Sequence, residues 1–230
     1  MSSHFPQRRL CLVGATGLTG SSLIEQAVSR ADIRIVGVAR REMRLPEGAR
    51  MEMLLADPSG WADAIAAANA EVLVCSLGTT WRKAGKDEAA FRAVDYDLVL
   101  SCARAAKQAG IEHAIVVSSA GADMASRNRY LRLKGEMEHA LAKIGFRRLD
   151  ILRPGLLRGI RRNDPRPMER LAMLASPLLD LVLQGRWRNF RSIRVDVLAR
   201  VIFALAQEKA GGRFVHEYDA LQRVVRRVGG

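Results

Sequence analysis

Aromatic residues make up only 5% of this 230-residue chain, cysteines number three, and 24 acids face 37 bases. Each shortage excludes something. Cys11, Cys75 and Cys102 lie far apart in apolar contexts, so they build neither a disulfide framework nor a zinc site, whose ligands cluster at short spacings. They read as buried free thiols in a reducing compartment, and the cytoplasm is the expected location. No metal is expected. The longest apolar stretch, 171–183, is broken by Ser176, Pro177 and Asp180 and is too short to span a bilayer. Residues 1–9 are polar and basic and lack the apolar run of a secretory signal. No membrane partner is expected.

The net charge of +13, carried mostly by arginine, invites a nucleic-acid reading. The scarcity of aromatics works against it. Basic and aromatic residues interleave only in GRWRNFR (185–191), and no helix-turn-helix or other reader motif accompanies that stretch. Nucleic acid is not an expected partner, and the charge better suits small anionic ligands.

What the chain does have is a glycine turn. Leu10–Val13 reads as a short buried strand that runs into Gly14, Gly17 and Gly20, and an apolar-periodic helix follows through Leu23, Ile24, Ala27 and Val28. A strand, a tight turn and a helix N-terminus make an anion site, with backbone N–H groups and the helix dipole aimed at a pyrophosphate. The spacing is GxxGxxG, with Thr16 where the better-known fingerprint has its second glycine.

Further along, strand and helix patterns alternate. Ile33–Val38 is an apolar, β-branched strand ending in Ala39-Arg40-Arg41. An acid at such a strand end takes ribose hydroxyls, whereas arginine accommodates a 2′-phosphate, so Arg40 and Arg41 favour NADP over NAD. Met51–Leu55 and Glu71–Ser76 are further strands, the latter ending in Leu77-Gly78. A helix over about 87–109 precedes the strand His113–Val117, which delivers Ser118 and Ser119. Tyr130 and Lys134 lie four apart and share a helix face. An ammonium beside a phenol favours the phenolate, which makes Tyr130 a candidate general acid/base.

Leu149–Leu152 is a sixth strand. From Arg158 the pattern changes to a basic loop (158–166), an apolar helix (171–183), a helix over 196–206, a late edge strand over 212–217 and a basic, frayed tail over 224–230. The alternation specifies an α/β fold, a Rossmann-like doubly wound parallel sheet with helices on both faces and a small C-terminal cap. One domain spanning 1–230 is expected, with 158–195 as the substrate-side cap. A homodimer through the apolar helix is an open alternative.

The motifs GATGLTG (14–20), ARR (39–41), CSLGTTWRKAG (75–85), VDYD (94–97), SSAGAD (118–123), YLRLKGEME (130–138) and RPGLL (153–157) together resemble the short-chain dehydrogenase/reductase superfamily. Within it the chain is similar to the atypical Tat-interacting oxidoreductase group, over roughly residues 8–170. The resemblance implies that Gly14, Thr16, Gly17, Leu18, Thr19 and Gly20 surround a pyrophosphate and that Arg40 and Arg41 hold a 2′-phosphate. It places Leu77 and Gly78 at the adenosine, Lys134 at the nicotinamide ribose, Leu157 at the nicotinamide, and Arg166 reaching back to the cofactor. Tyr130 would exchange the substrate proton, assisted by Ser119 or Ser118, with Ser119 the better match. The asparagine that many members carry on the fourth helix has no clear equivalent, and Asp95 occupies the comparable stretch.

The expected function is an NADP(H)-dependent oxidoreductase acting on a small carbonyl or alcohol through a Ser-Tyr-Lys site. A dinucleotide-binding regulator or redox sensor with little turnover is the alternative from another class. A sugar-nucleotide epimerase ranks third, because the region after the sixth strand is short for it.

Overall fold

The computed structural model describes residues 7–79, 84–159 and 183–228. Seven parallel strands form one sheet in the order β3-β2-β1-β4-β5-β6-β9. They are β1 (Arg8–Val13), β2 (Ile33–Ala39), β3 (Glu52–Leu55), β4 (Val72–Cys75), β5 (His113–Val117), β6 (Arg148–Leu152) and β9 (Gly212–His216). β1, β4 and β5 carry continuous apolar runs (Leu10–Val13, Val72–Cys75 and Ala114–Val117) because helices cover both faces of the sheet. On one face lie α2 (Trp61–Ala67), α4 (Val99–Gln108) and α5 (Arg129–Ala142), packed over Cys11, Leu73, Val116 and Ile151. On the other lie α1 (Leu18–Ala27), α6 (Val195–Ala206) and α7 (Tyr218–Val228), packed over Leu12, Val74 and Ile115. The three cysteines are buried, and burial pushes the Cys75 thiol up to about 11. β7 (Leu157–Arg158) and β8 (Ile193–Arg194) pair beside the main sheet.

Two expectations are corrected. The helix over 87–109 is three pieces: α3 (Glu88–Arg92), a π-helical turn (Ala93–Leu98) and α4. The expected frayed tail over 224–230 is instead the end of α7, described to Val228. Leu221, Val224 and Val225 recur at helical spacing and pack on the core, while Arg227 pairs with Glu208 at 2.7 Å. The basic residues that suggested a tail are the outer face of an amphipathic helix. Most of the basic loop 158–166, Arg166 included, and nearly all of the expected helix 171–183 lie outside the described residues. Among the described residues, no helix is long and apolar enough to cross a membrane.

The order runs outward from β1 through β2 to β3 on one side and from β4 through β5 and β6 to β9 on the other, so the winding of this parallel sheet reverses between β1 and β4. The crevice outside the carboxyl ends of these two strands is where open α/β sheets take ligands.

A charged cluster lies under the opposite edge. Asp150 accepts from His113 Nε2 (2.8 Å), His216 Nε2 (2.7 Å) and Arg148 (2.7 and 2.9 Å). Burial alone would raise Asp150, but these hydrogen bonds outweigh it and hold the carboxyl well below its usual range. His113 is lowered, chiefly by burial. A folded-state value below the unfolded one makes the His113 contribution complete at neutral pH and lost as pH falls through 6.5. Below that point each pH unit costs at most about 1.4 kcal/mol from this group. The melting temperature should therefore drop between pH 7.5 and 5.5, and His113→Gln, which keeps a donor toward Asp150 but does not titrate, should flatten that drop. An unchanged acid slope in the variant would place the sensitivity elsewhere.

Candidate functional site

The crevice begins with three missing side chains. A Cβ on Gly14, whose φ is +94°, would stand 2.8 Å from the Ser76 backbone and hydroxyl. One on Gly20 would stand 2.3 Å from the Gly14 carbonyl oxygen, and one on Gly17 would stand 3.2 Å from the same atom. Glycine at these places lets β4 close against the turn and lets α1 dock on the end of β1. Ser76 ties the two strand ends together, its amide to Val13 O at 2.9 Å and its hydroxyl to the same carbonyl at 3.2 Å. Gly17 is the N-cap of α1; no side chain caps that first turn and no acid lies in it. Its backbone N–H groups and dipole end thus suit an anion. Thr16 is exposed, Leu18 half-buried and Thr19 buried at the mouth of this turn. The residues present fit the pyrophosphate of a dinucleotide.

β4 carries the site onward. Leu77 is half-buried and Gly78 exposed just past the strand, and the amide of Thr79 donates to Asp95 Oδ2 at 2.7 Å. The π-helical turn brings Asp95 inward, and such turns recur at functional sites. Asp95 Oδ1 stands 2.8 Å from Lys134 Nζ, with residue exposures of 1% and 2%. Burial alone would lower the lysine, but the Asp95 charge, aided by Tyr130, raises it, and the ammonium form is kept. Sequence reasoning placed Lys134 correctly on the α5 face but did not foresee that a carboxylate would neutralise it. The asparagine-for-aspartate difference at Asp95 was the available signal.

Tyr130 lies one turn before Lys134 on α5, half-buried, with its ring 5.7 Å from that of Phe91. Asn128 caps this helix, its side chain accepting from the amides of Tyr130 (2.9 Å) and Leu131 (3.3 Å). The two serines differ sharply. Ser118 is buried, and its hydroxyl donates to Glu138 Oε1 at 2.5 Å. Glu138 in turn accepts from Arg153 through Nε and Nη2, and Arg153 reaches Glu217 at 3.3 Å. Ser119 is half-buried and makes one long contact, 3.3 Å, to the Ala120 carbonyl.

The remaining residues are spread along the same edge. Leu157 lies on β7, two positions before Gly159, where a Cβ would stand 3.0 Å from Leu18 Cδ1. β7 therefore runs beside the glycine turn. Arg40 and Arg41 are exposed past the end of β2, one strand away, and neither has an ion-pair partner among the described residues. A groove of about 570 Å³ on the outer faces of α4 and α5 involves Tyr96, Arg104, His139 and Lys143, and none of the predicted site residues lines it.

Known proteins share the sequence and the fold of this chain. Protein fmp52, mitochondrial, of Emericella nidulans is 34% identical over 170 residues, covering 71% of this chain and 72% of its own. Its namesake in Eremothecium gossypii is 33% identical over 218 residues, covering 93% and 96%. Among solved structures, MoeE5 in complex with UDP-glucose and NAD superposes with a TM-score of 0.68 at 16% identity, covering 96% of this chain and 82% of that one. The UDP-glucose 4-epimerase of Thermus thermophilus, complexed with NAD, gives 0.65 at 18%, covering 96% and 83%. At such identities these two likenesses speak for the fold alone.

The relatives also correct the expected location. They are named as mitochondrial proteins, whereas composition pointed to the cytoplasm. Buried thiols indicate a reducing compartment and cannot choose between the two. The narrower likeness to the Tat-interacting oxidoreductase group rests on the motifs alone, since the relatives named here are Fmp52 proteins. A profile of the family described as NAD(P)H-binding matches residues 14–172, which span the glycine turn, both serines, Tyr130, Lys134 and Leu157, and the chain belongs to that family together with the Fmp52 proteins.

Proposed function

We propose that this protein is an NADP(H)-dependent oxidoreductase of the short-chain type, acting on a small carbonyl or alcohol, in mitochondria like its named relatives. The observation that carries the reading is the convergence on one crevice of an uncapped glycine turn, a buried Lys134 and a half-buried Tyr130 one helical turn away.

Gly14, Thr16, Gly17, Leu18, Thr19 and Gly20 would hold the pyrophosphate, chiefly through backbone N–H groups. Arg40 and Arg41, exposed and without ion partners among the described residues, would take the 2′-phosphate, for which forked guanidinium donors are suited. Leu77 and Gly78 would flank the adenosine, Leu157 the nicotinamide, and Lys134 the ribose beside it. Bound, the dinucleotide supplies a hydride to the carbonyl carbon and is oxidised as the carbonyl is reduced. Tyr130 gives its hydroxyl proton to the carbonyl oxygen and regains one from solvent. Ser119 hydrogen-bonds that oxygen. The commitment of the Ser118 hydroxyl to Glu138 favours Ser119 over Ser118 for this role.

The Asp95–Lys134 pair favours a second reading, a dinucleotide-binding regulator with little turnover, because it withdraws from Tyr130 the free cation that the mechanism draws on.

A ligand that binds only the native state stabilises it by about 2.7 kcal/mol at a hundredfold excess over Kd. NADPH should raise the melting temperature more than NADH, and the double variant Arg40→Ala, Arg41→Ala should abolish the difference. Equal shifts in the unaltered protein would sink the 2′-phosphate assignment. Tyr130→Phe should retain the NADPH shift and lose about 100-fold or more in NADPH oxidation with a quinone or aldehyde probe, the usual scale for a general acid. A full rate in that variant would remove Tyr130 from the chemistry.

A further inference from the structure

We infer that Asp95 is a positioning residue whose carboxylate cancels the Lys134 charge, and that this cancellation sets how the site divides its affinity between oxidised and reduced dinucleotide. The inference rests on the dinucleotide reading above and deepens it.

Two contacts and the nearness of Gly78 fix Asp95 beside the end of β4. Oδ1 is 2.8 Å from Lys134 Nζ, Oδ2 accepts from the Thr79 amide at 2.7 Å, and a Cβ on Gly78 would stand 3.5 Å from Oδ1. The carboxylate thus bridges the end of β4, where the ligand edge lies, and the lysine of α5. A neutral asparagine could accept from the same amide and orient the same lysine. Only an acid neutralises it.

Among the described residues, the charges around the pair are largely compensated in the same way. Cys75, next to the pair on β4, is a neutral thiol at physiological pH because burial pushes it up. On the rim, Glu88 of α3 pairs with Arg129 of α5 (3.3 Å), and Arg92 pairs with Glu136 (3.0 Å), so each sums to zero. Arg132 lies 4.0 Å from Glu136, and Asp97 of the π-helical turn is exposed to solvent. Lys134 and Asp95, at 2% and 1% exposure, are therefore a buried and mutually compensated pair beside the end of β4.

An oxidised nicotinamide ring carries a positive charge that the reduced ring lacks, and the two dinucleotides are otherwise nearly alike. A lone ammonium within several ångströms penalises the oxidised form, and a lone carboxylate favours it. A neutral pair does neither. At a separation of about 6 Å, one uncompensated charge is worth roughly a hundredfold in the affinity ratio at an effective dielectric near 20 and about tenfold near 40, the figure that suits a crevice open to water.

The test is titration of the full chain with NADP⁺ and with NADPH by calorimetry, at pH 6.5, where an unpaired buried lysine is more readily protonated than at higher pH. Asp95→Asn should raise the ratio of the NADP⁺ Kd to the NADPH Kd by about tenfold. Lys134→Met should lower it by a similar factor, and the double variant Asp95→Asn, Lys134→Met should return it to within about threefold of the unaltered protein. Should Asp95→Asn fail to fold, the lysine variant and the double variant, which buries no lone charge, decide the matter. A merely structural role would weaken both dinucleotides in parallel and leave the ratio fixed, and that outcome overturns the inference while the dinucleotide reading survives. Failure of the unaltered protein to bind either dinucleotide would overturn the reading itself, and the inference with it.

Discussion

The closure of β1 against β4 at Gly14 and Ser76 is the constraint on which the site depends. Where a Gly14 side chain would begin, the Ser76 backbone already stands, and where a Gly20 side chain would begin, the Gly14 carbonyl stands. Both contacts require the absence of a Cβ. A methyl at Gly20 would lift α1 away from the strand, moving its uncapped amides off the crevice. A methyl at Gly14 would push β4 outward, and with it Gly78 and Thr79. Because Thr79 holds Asp95 and Asp95 holds Lys134, the displacement would pass to α5 as well. The anion cradle and the lysine are one mechanical unit.

Electrostatics divides the chain in a way that its net charge of +13 conceals. Inside, charges are balanced. Asp95 faces Lys134, Glu138 faces Arg153, and Asp150 faces Arg148 with two histidines. Removing one member of such a pair leaves a buried charge uncompensated, typically at a cost of about 3–5 kcal/mol. Among the described residues, Arg40 and Arg41 are exposed past the end of β2, without acidic partners. An excess of base that looks like a nucleic-acid signal in composition is, around the site, two arginines at a strand end. The buried pairs also link elements. Arg153 and Glu138 join the end of β6 to α5, and Glu138 engages the Ser118 hydroxyl, whereas the Ser119 hydroxyl makes only a long contact to the Ala120 carbonyl.

The parallel sheet and the glycine turn were legible in the chain because both are local. Runs such as Leu10–Val13 and Val72–Cys75 announce strands covered on two faces, and the turn needs no distant residue to be recognised. The edge strand over 212–217 was legible for the same reason. What was not legible depends on contacts between distant segments. The tail helix was missed because its seven-residue end is rich in arginine, and only the packing of Leu221 and Val224 on α6 reveals a buried face. The difference between Ser118 and Ser119 was not visible in their spacing to Tyr130, since it comes from Glu138, twenty residues on, which engages the Ser118 hydroxyl. Location was misjudged because thiol burial reports on redox conditions and carries no address.

Asp95 shows why a residue can be noticed without being understood. Its position in VDYD marked it as a departure from an expected asparagine, but nothing in the linear pattern says whether a carboxylate there faces water, caps a helix or meets a lysine. The π-helical turn settles it by rotating the side chain inward, and burial settles the rest, since a carboxylate at 1% exposure needs a cation beside it. Once paired, the lysine keeps its place but not its field, so the geometry that the proposed hydride transfer needs would be preserved while its charge is cancelled. A site that only had to orient a ribose would lose nothing by this. A site that had to draw a proton from a phenol would lose part of its driving force. On the proposed reading, the balance between turnover and sensing would rest on one carboxylate, placed by a turn of helix one residue wider than an ordinary one.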